Sequence, residues 1–126
     1  MIHQSLTEKI LKVCFEVSNE LGCGFLESVY QKALLIALGE AGLKVQSQPP
    51  LKVMFRGQTV GDFFPDIVVE DVVLLKLKAV KSLMPEHLAQ VMNYLKVTGL
   101  EVGFLINFGN PKLEYRRFGN RFLITM

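Results

Sequence analysis

The sequence has little of the chemistry that identifies a zinc site or a disulfide framework. It contains two cysteines, two histidines and no tryptophan in 126 residues. Cys14 and Cys23 form no CxxC pair and have no Cys/His partners at zinc-ligand spacing, so neither kind of site is expected. We interpret both as buried thiols of a protein in a reducing compartment.

Long hydrophobic runs and a strong charge of one sign are also missing. No apolar run approaches the ~20 residues of a membrane-spanning helix, and Met1-Ile2-His3-Gln4 lacks the pattern of a signal peptide. The sequence therefore predicts a cytoplasmic protein with no membrane partner. The net charge is only +2, so any contact with nucleic acid must come from a local patch of cations.

The residues that are present describe an apolar, folded chain. Half of them are hydrophobic and 21% are charged, and the mean hydropathy is +0.32. A chain of this length can bury a core without cross-links, so we expect one domain over residues 1–126. The apolar excess favours a homodimer, in which a second copy covers part of the surface.

Two helices are predicted to open the chain. Ser5 and Glu8 form a capping box, and apolar residues then recur at helical spacing, which indicates a first helix from about residue 6 to 21. Gly22-Cys23-Gly24 ends it. A second helix is expected over about residues 25–41, with Gly42 at its C-terminus.

The hydrophobic period changes to two after residue 43, which predicts strands. They are expected at residues 43–45, 51–55, 59–69 and 72–80, with turns at Arg56-Gly57-Gln58 and at Glu70-Asp71. The last two strands are rich in β-branched residues, so we place them at the centre of the sheet.

The rest of the chain reads as a helix followed by strands. Pro85 starts a third helix that Gly99 ends, and a buried strand follows from Val102 to Asn107. This strand–helix–strand order implies a right-handed crossover. Residues 113–126 are expected to form a short hairpin or a pair of edge strands around Gly119-Asn120.

Charged residues interrupt the two central strands. Asp66 lies near the end of one, and Lys76 and Lys78 lie on the next, so an antiparallel turn would bring them side by side. Residues two apart in a strand point to the same face. Two buried charges are costly unless they are partnered or face a cleft, so we expect a compensating acid nearby. Taken alone, Asp66 would also be consistent with an acidic residue that belongs to the turn and has no catalytic role.

Two helices each offer a polar edge to the sheet. Glu27 and Tyr30 are three apart on the second helix, and His87, Gln90 and Tyr94 form one stripe of the third. Either stripe by itself is also typical of a solvated flank or of structural hydrogen bonds.

The C-terminal segment mixes cations with aromatic rings. The cations are Lys112, Arg116, Arg117 and Arg121, and the rings are Tyr115, Phe118 and Phe122. Cations beside rings are typical of nonspecific nucleic-acid binding. Alternation along a strand would separate the two types onto opposite faces, however, and edge strands also carry basic residues to prevent aggregation.

These features follow one another in a recognisable order. The order is Gly24-x-x-Glu27-x-x-Tyr30, the strand pair, Leu77-Lys78-Ala79-Val80, the Gln90-x-x-x-Tyr94 helix and the strand from Val102 to Phe108. It resembles that of the small GxxExxY proteins of the PD-(D/E)XK nuclease superfamily, over nearly the whole chain. The resemblance implies an α/β fold with a restriction-endonuclease-like core, α-β-β-β-α-β, in which helices flank a central mixed sheet.

The resemblance also implies catalytic roles. Asp66 would be the carboxylate ligand of Mg²⁺, Glu27 an accessory acid and second metal ligand, and Lys78 the residue that orients or activates the attacking water. Such a site hydrolyses a phosphodiester.

A second group of residues is assigned to contact with DNA or RNA. The helix with Gln90 and Tyr94 is similar to the one that lines the cleft of RecB-like nucleases. Tyr30, Arg116 and Arg117 are further candidates for this contact.

Lys76 departs from the family pattern, which has an acid at this position, as Glu-x-Lys. Asp66 and Glu27 supply two negative charges and Lys76 and Lys78 two positive ones, so the site sums to zero where an acid at position 76 would give −2. Mg²⁺ requires oxygen ligands, usually one or two carboxylates. We therefore expect impaired cleavage and no bound Mg²⁺, with nucleic-acid binding retained.

Two alternatives stay open at this point. An active Mg²⁺-dependent nuclease could use a displaced acid, supplied by Glu70, Asp71 or a partner chain, or an uncharged Lys76. A non-catalytic homodimeric interaction module would instead use the apolar edges of the fold.

Overall fold

A computed structural model describes residues 3–119, and these form three helices and seven strands. In chain order they are α1 (Gln4–Leu21), α2 (Glu27–Glu40), β1 (Val45–Ser47), β2 (Leu51–Phe55), β3 (Gln58–Phe63), β4 (Ile67–Val69), β5 (Val73–Lys78), α3 (Pro85–Thr98), β6 (Val102–Asn107) and β7 (Glu114–Gly119).

Five strands form a mixed sheet in the order β1-β4-β5-β6-β7, and β2 and β3 form a separate hairpin. β5 and β6 are parallel and are joined by α3, whereas the other neighbours in the large sheet are antiparallel. β5 lies at the middle of the sheet, as the sequence predicted. A parallel pair requires such a long crossover connection.

Helices cover both faces of this sheet. In β5, Val73, Leu75 and Leu77 belong to a core shared with α1 and α2, and Leu74 belongs to a second core shared with α3 and the hairpin. Alternation along the strand produces this division. Lys76 and Lys78 have the parity of Leu74 and therefore lie on the α3 face of the sheet.

Three predicted element boundaries are wrong. The strand expected at residues 43–45 is β1, at Val45–Ser47. α1 already begins at Gln4, because the His3 carbonyl accepts a hydrogen bond from the Thr7 N–H, so Ser5 lies inside the helix and does not cap it. The strand predicted over residues 59–69 is two strands, β3 and β4, in different sheets. Pro65 lies in the gap between them, and a residue without an N–H cannot continue a ladder.

The predicted turns and the third helix are confirmed. Arg56 and Gly57 in the β2–β3 turn have positive φ, as a two-residue hairpin turn requires. Glu70 and Asp71 also have positive φ, and the pairing of Val69 with Val73 makes the β4–β5 connection three residues long. α3 begins at Pro85, and Gly99 ends it in the left-handed conformation.

The predicted C-terminal strand pair is only partly described. β7 is an edge strand antiparallel to β6. The expected turn at Asn120 and the candidates Arg121 and Phe122 lie outside the described residues.

The two cysteines have opposite environments. Cys14 is buried in the core, as predicted, but Cys23 is exposed. The prediction for Cys23 is wrong because it lies in the loop between α1 and α2, outside the apolar stripe of either helix. No helix within residues 3–119 has the length and apolar character needed to cross a membrane.

Candidate functional site

Asp66 and Lys76 face each other across the β4–β5 pair. The register pairs Ile67 with Leu75, which places Asp66 opposite Lys76 just beyond the ladder. Asp66 is buried, and its Oδ2 accepts a hydrogen bond of 2.6 Å from the Leu77 N–H. The Lys76 Nζ lies 3.7 Å from the same oxygen. The acid and the lysine are therefore neighbours, as the sequence predicted.

Lys78 lies on the same face as Lys76, at the end of β5. Its partner across the parallel pair is Asn107. Within residues 3–119, the Lys78 ammonium has no ion pair or hydrogen bond to protein, and the side chain is partly exposed. Its charge is therefore available to a ligand.

α2 approaches Asp66 through a residue that sequence reasoning missed. The Gln31 side chain donates a hydrogen bond of 3.2 Å to the Asp66 carbonyl oxygen. Glu27, the first residue of α2, lies one helical turn before Gln31 and therefore on the same side of the helix. This places Glu27 toward the Asp66 end of the sheet, and the i, i+4 spacing from Glu27 was the signal that could have identified Gln31.

Tyr30 has a structural position. The residue is fully buried, its hydroxyl donates to the Gly22 carbonyl at 2.6 Å and accepts from the Phe25 N–H at 3.3 Å, and its ring stacks on Phe108 at 4.7 Å. It offers no exposed surface to nucleic acid. The two hydrogen bonds of its hydroxyl fix the loop that precedes Glu27.

The polar stripe of α3 has mixed roles. His87 Nδ1 accepts a hydrogen bond from the Met84 N–H and so caps the helix start. The Tyr94 ring stacks on Phe63 of the hairpin, with 4.0 Å between centroids. Gln90 is partly exposed, and its side chain forms no hydrogen bond to protein within residues 3–119. Of these three residues, Gln90 therefore has the side chain that is free to contact a ligand.

Arg116 and Arg117 lie on opposite faces of β7. Arg116 is paired with Leu105 and shares the α3 face with Lys76, whereas the Arg117 guanidinium lies 6.0 Å from the Phe104 ring on the other face. Tyr115 is on the Arg117 side, so each face carries one arginine and one ring. The expected separation of cations from rings is wrong, because Arg116 and Arg117 are adjacent.

Asn107 is a buried polar residue that sequence reasoning did not select. Its Oδ1 accepts from the N–H groups of Val80 and Gly109, and its Nδ2 donates to the Val80 carbonyl and to Glu114 Oε1, all within 3.0 Å. The amide holds the chain just after Lys78 against β6. An amide at the end of the apolar run Val102–Asn107 was the available signal.

The donors around Asp66 do not fit Mg²⁺. One oxygen of Asp66 is already bonded to a backbone N–H, and an ammonium stands where the family pattern has a carboxylate. Within residues 3–119 no three Asp, Glu, His or Cys side chains come together as a metal site. Mg²⁺ is usually held by one or two carboxylates together with waters, and here the Lys76 ammonium lies 3.7 Å from the Asp66 carboxylate.

The two acids suggested as replacements are engaged elsewhere. Glu70 accepts the Lys44 N–H, and Asp71 lies 2.8 Å from the Lys44 Nζ, whose pKa it raises by a hydrogen bond and by its charge. Both lie in the β4–β5 turn, at the opposite end of this hairpin from Asp66. Neither can reach the site without unfolding the turn.

Comparison with solved structures shows the fold. A crystal structure of SSO0001 matches 74% of this chain and 50% of its own length, with a TM-score of 0.54 and 13% identity. An alkaline exonuclease (LHK-Exo) from Laribacter hongkongensis matches 98% of this chain and 74% of its own length, with a TM-score of 0.55 and 14% identity. The chain thus spans about half of the first protein.

Comparison with protein families shows the ancestry. A search of curated proteins found no match. The family model for the PD-(D/E)XK nuclease superfamily, in contrast, matches residues 4–118, which includes Glu27, Asp66, Lys78 and all of β7 except Gly119. The predicted restriction-endonuclease-like α/β fold is confirmed, and the chain belongs to the PD-(D/E)XK nuclease superfamily.

Proposed function

We propose that this chain is a nuclease-fold protein of the GxxExxY type that binds nucleic acid and in which metal-dependent phosphodiester cleavage is impaired. The observation that carries the proposal is the Lys76 Nζ at 3.7 Å from Asp66 Oδ2. A cation of the protein itself therefore lies beside the carboxylate that would bind the metal.

Electrostatics supports the loss of metal binding. An ammonium about 4 Å from a metal ion repels it by roughly 4 kcal/mol per unit of metal charge at an effective dielectric constant of ~20. The charges of Asp66, Glu27, Lys76 and Lys78 sum to zero, so no excess negative charge offsets this repulsion. Mg²⁺ is the cofactor that the family resemblance implies, and we propose that it does not act in this chain.

The geometry around Gly24, Glu27 and Tyr30 supports the GxxExxY assignment. Gly24 has a φ of 111°, which favours glycine. Tyr30 fixes the loop by two hydrogen bonds, and this loop leads into Glu27 at the start of α2. Gly24 and Tyr30 thus each have a physical reason for their type.

Retained nucleic-acid binding is supported by the cations of the α3 face. Lys78 has no described ion pair, Arg116 is exposed on β7, and Gln90 is partly exposed on α3. These groups could bind DNA or RNA through the phosphate backbone, which both share. Arg117 lies on the opposite face and would belong to a separate contact.

Exposed apolar side chains on the β2–β3 hairpin favour a second candidate, a homodimeric interaction module. Met54, Phe55 and Val60 are each at least half exposed. The other alternative, an active nuclease with a displaced acid, loses its internal sources because Glu70 and Asp71 are bound to Lys44. An acid from a partner chain would be needed.

The Lys76→Glu variant tests the proposed function. The unmodified chain, called the parent chain below, should bind no Mn²⁺ at Asp66. It should also show no Mg²⁺- or Mn²⁺-dependent cleavage of labelled DNA or RNA. Lys76→Glu restores the family acid and should introduce both. Calorimetry measures the metal, and denaturing gels measure cleavage.

Two control variants complete this experiment. Lys12→Glu makes the same charge change on the exposed side of α1 and should introduce neither property. Adding Asp66→Asn to Lys76→Glu should remove the new activity again. Metal-dependent cleavage by the parent chain that disappears in Asp66→Asn would show that the site is active and contradict the proposal.

A further inference from the structure

We propose that Lys76 supplies a fixed cation in place of the metal, so that Lys76, Lys78 and Arg116 bind a phosphate group of nucleic acid without any divalent ion. This inference rests on the proposed function and names the chemistry of its binding site. It predicts binding that is independent of metal and dependent on position 76.

The Lys76 ammonium has a fixed position, but within residues 3–119 it donates no hydrogen bond to the protein. Its side chain is 16% exposed and that of Asp66 is 11% exposed, so both side chains are fixed by packing. The distance of 3.7 Å to Asp66 Oδ2 is an ion-pair distance, and it is too long for a hydrogen bond. The Leu77 N–H, at 2.6 Å, is the hydrogen-bond donor to that oxygen.

The ammonium nitrogen must also reach solvent. Among the described residues, no buried side-chain nitrogen or oxygen lacks a hydrogen-bond partner. No hydrogen bond from Lys76 to protein is present in this part of the chain. The nitrogen is therefore not sealed in the core, and its three N–H donors can bind an oxyanion.

The strand register extends this positive charge across the sheet. Lys76 is paired with Leu105, and Leu105 with Arg116, so the two cations flank one buried leucine on the same face. Lys78 lies two residues further along β5, about 6.6 Å away by strand geometry.

The acids on this face leave a net positive charge. Asp66 is paired with Lys76, and Glu114 accepts hydrogen bonds from Asn107 and Asn110. Among Asp66, Lys76, Lys78, Glu114 and Arg116, two carboxylates against three cations leave one positive charge. An anion is attracted to such a face, whereas the acidic site of an active nuclease attracts a phosphate only through its metal.

The test measures the affinity for a fluorescent single-stranded oligonucleotide by anisotropy, in EDTA and in Mg²⁺. The parent chain should bind equally well in both. Lys76→Met removes the cation and keeps the length of the side chain, and it should weaken binding about tenfold, the effect of one charged hydrogen bond. Lys76→Arg should retain binding.

A matched control separates this effect from a general loss of charge. Lys12→Met removes the same charge on the other side of the sheet and should bind like the parent. If Lys76→Met fails to fold, as seen by circular dichroism, Lys76→Glu replaces it. The glutamate should abolish binding in EDTA.

The outcomes distinguish the inference from the proposed function. Equal affinities of the parent and Lys76→Met, or a parent that requires Mg²⁺ to bind, would overturn the fixed-cation site. No binding by the parent under either condition would overturn the proposed function together with it. Metal-independent binding that is lost in Lys76→Met and kept in Lys76→Arg would support both.

Discussion

Lys44, Lys76 and Lys78 carry the same ammonium group in three different environments. Lys44 is exposed and pairs with Asp71, Lys76 is largely buried beside Asp66, and Lys78 has no ion pair among the described residues. The pairing of Lys76 could be predicted from the sequence, because the tight turn fixes the strand register. The pairing of Lys44 could not, because its partner lies on a distant turn.

The two cysteines give a prediction at the scale of single residues. Burial raises the pKa of the Cys14 thiol to about 12, whereas Cys23 is exposed. Because the thiolate is the reactive form, a thiol reagent should modify one cysteine in the folded protein and two in denaturant. The modified thiols are counted by mass spectrometry at neutral pH.

The variant Cys23→Ser is the control for this count, and no thiol should react in its folded state. Because the folded pKa of Cys14 lies above its usual value of 9.0, this thiol should stay protected up to about pH 9. Modification of Cys14 in the native protein at neutral pH would mean that α1 opens from the core.

At the scale of elements, α3 was predicted to the residue and β3 and β4 were not. Pro85 and Gly99 act through local sterics, so the sequence alone contains the information needed. The division between β3 and β4 depends on which strands they pair with, β2 in one case and β1 and β5 in the other. Such long-range pairing leaves no local signal except Pro65.

Asn107 shows the same limit within the site. Its amide replaces a strand neighbour for Val80, since it both accepts from the N–H and donates to the carbonyl of that residue. An Asn in an apolar strand signals a buried polar contact, but its partner can be identified only from the β5–β6 register. The segment that follows Lys78 is therefore held by contacts that no local pattern predicts.

The close approach of Gly109 to Val80 gives a prediction at this scale. A Cβ on Gly109 would clash with the backbone N, C and O of Val80, and backbone atoms cannot move aside as a flexible side chain can. Gly109→Ala should therefore lower the free energy of unfolding by about 2–4 kcal/mol. Urea denaturation followed by circular dichroism measures the change.

Gly39 provides the opposite case and serves as the control. It lies inside α2, and a Cβ there would meet no atom within 4 Å. Gly39→Ala should raise the free energy of unfolding by about 0.5–1 kcal/mol, because alanine restricts the unfolded chain and favours helix. Equal effects of the two substitutions would mean that the loop after β6 adapts to a side chain.

At the scale of the whole molecule, the sheet separates two tasks. The face toward α1 and α2 forms the larger apolar core, and the face toward α3 carries Asp66, Lys76, Lys78 and Arg116 beside a smaller core. The resemblance to the PD-(D/E)XK nuclease superfamily implied this class of fold, and the predicted order of elements agreed with it. The proposal that activity is impaired rests on one residue, because an acid at position 76 would give the four predicted site residues a charge of −2, whereas Lys76 gives zero.

The β2–β3 hairpin gives the prediction for the whole molecule. Leu51, Val53 and Phe63 pack against α3, but Phe55 and Val60 near the tip are 57% and 62% exposed. Val60 is the unpaired residue where the register shifts, and such a bulge bends the strand away from its neighbours. Exposed apolar side chains near the tip of this hairpin favour association with a second copy.

We therefore expect a homodimer in light scattering after size-exclusion chromatography, and a monomer for the double variant Phe55→Ser/Val60→Ser. Both residues are exposed, so the substitutions should leave the fold intact. Ile36→Ser removes an equally exposed apolar side chain from α2, where Ile36 is 65% exposed, and should leave the dimer unchanged. A parent chain that is monomeric at every concentration would contradict the dimer. Dissociation by Ile36→Ser alone would instead place the interface on the α1–α2 layer.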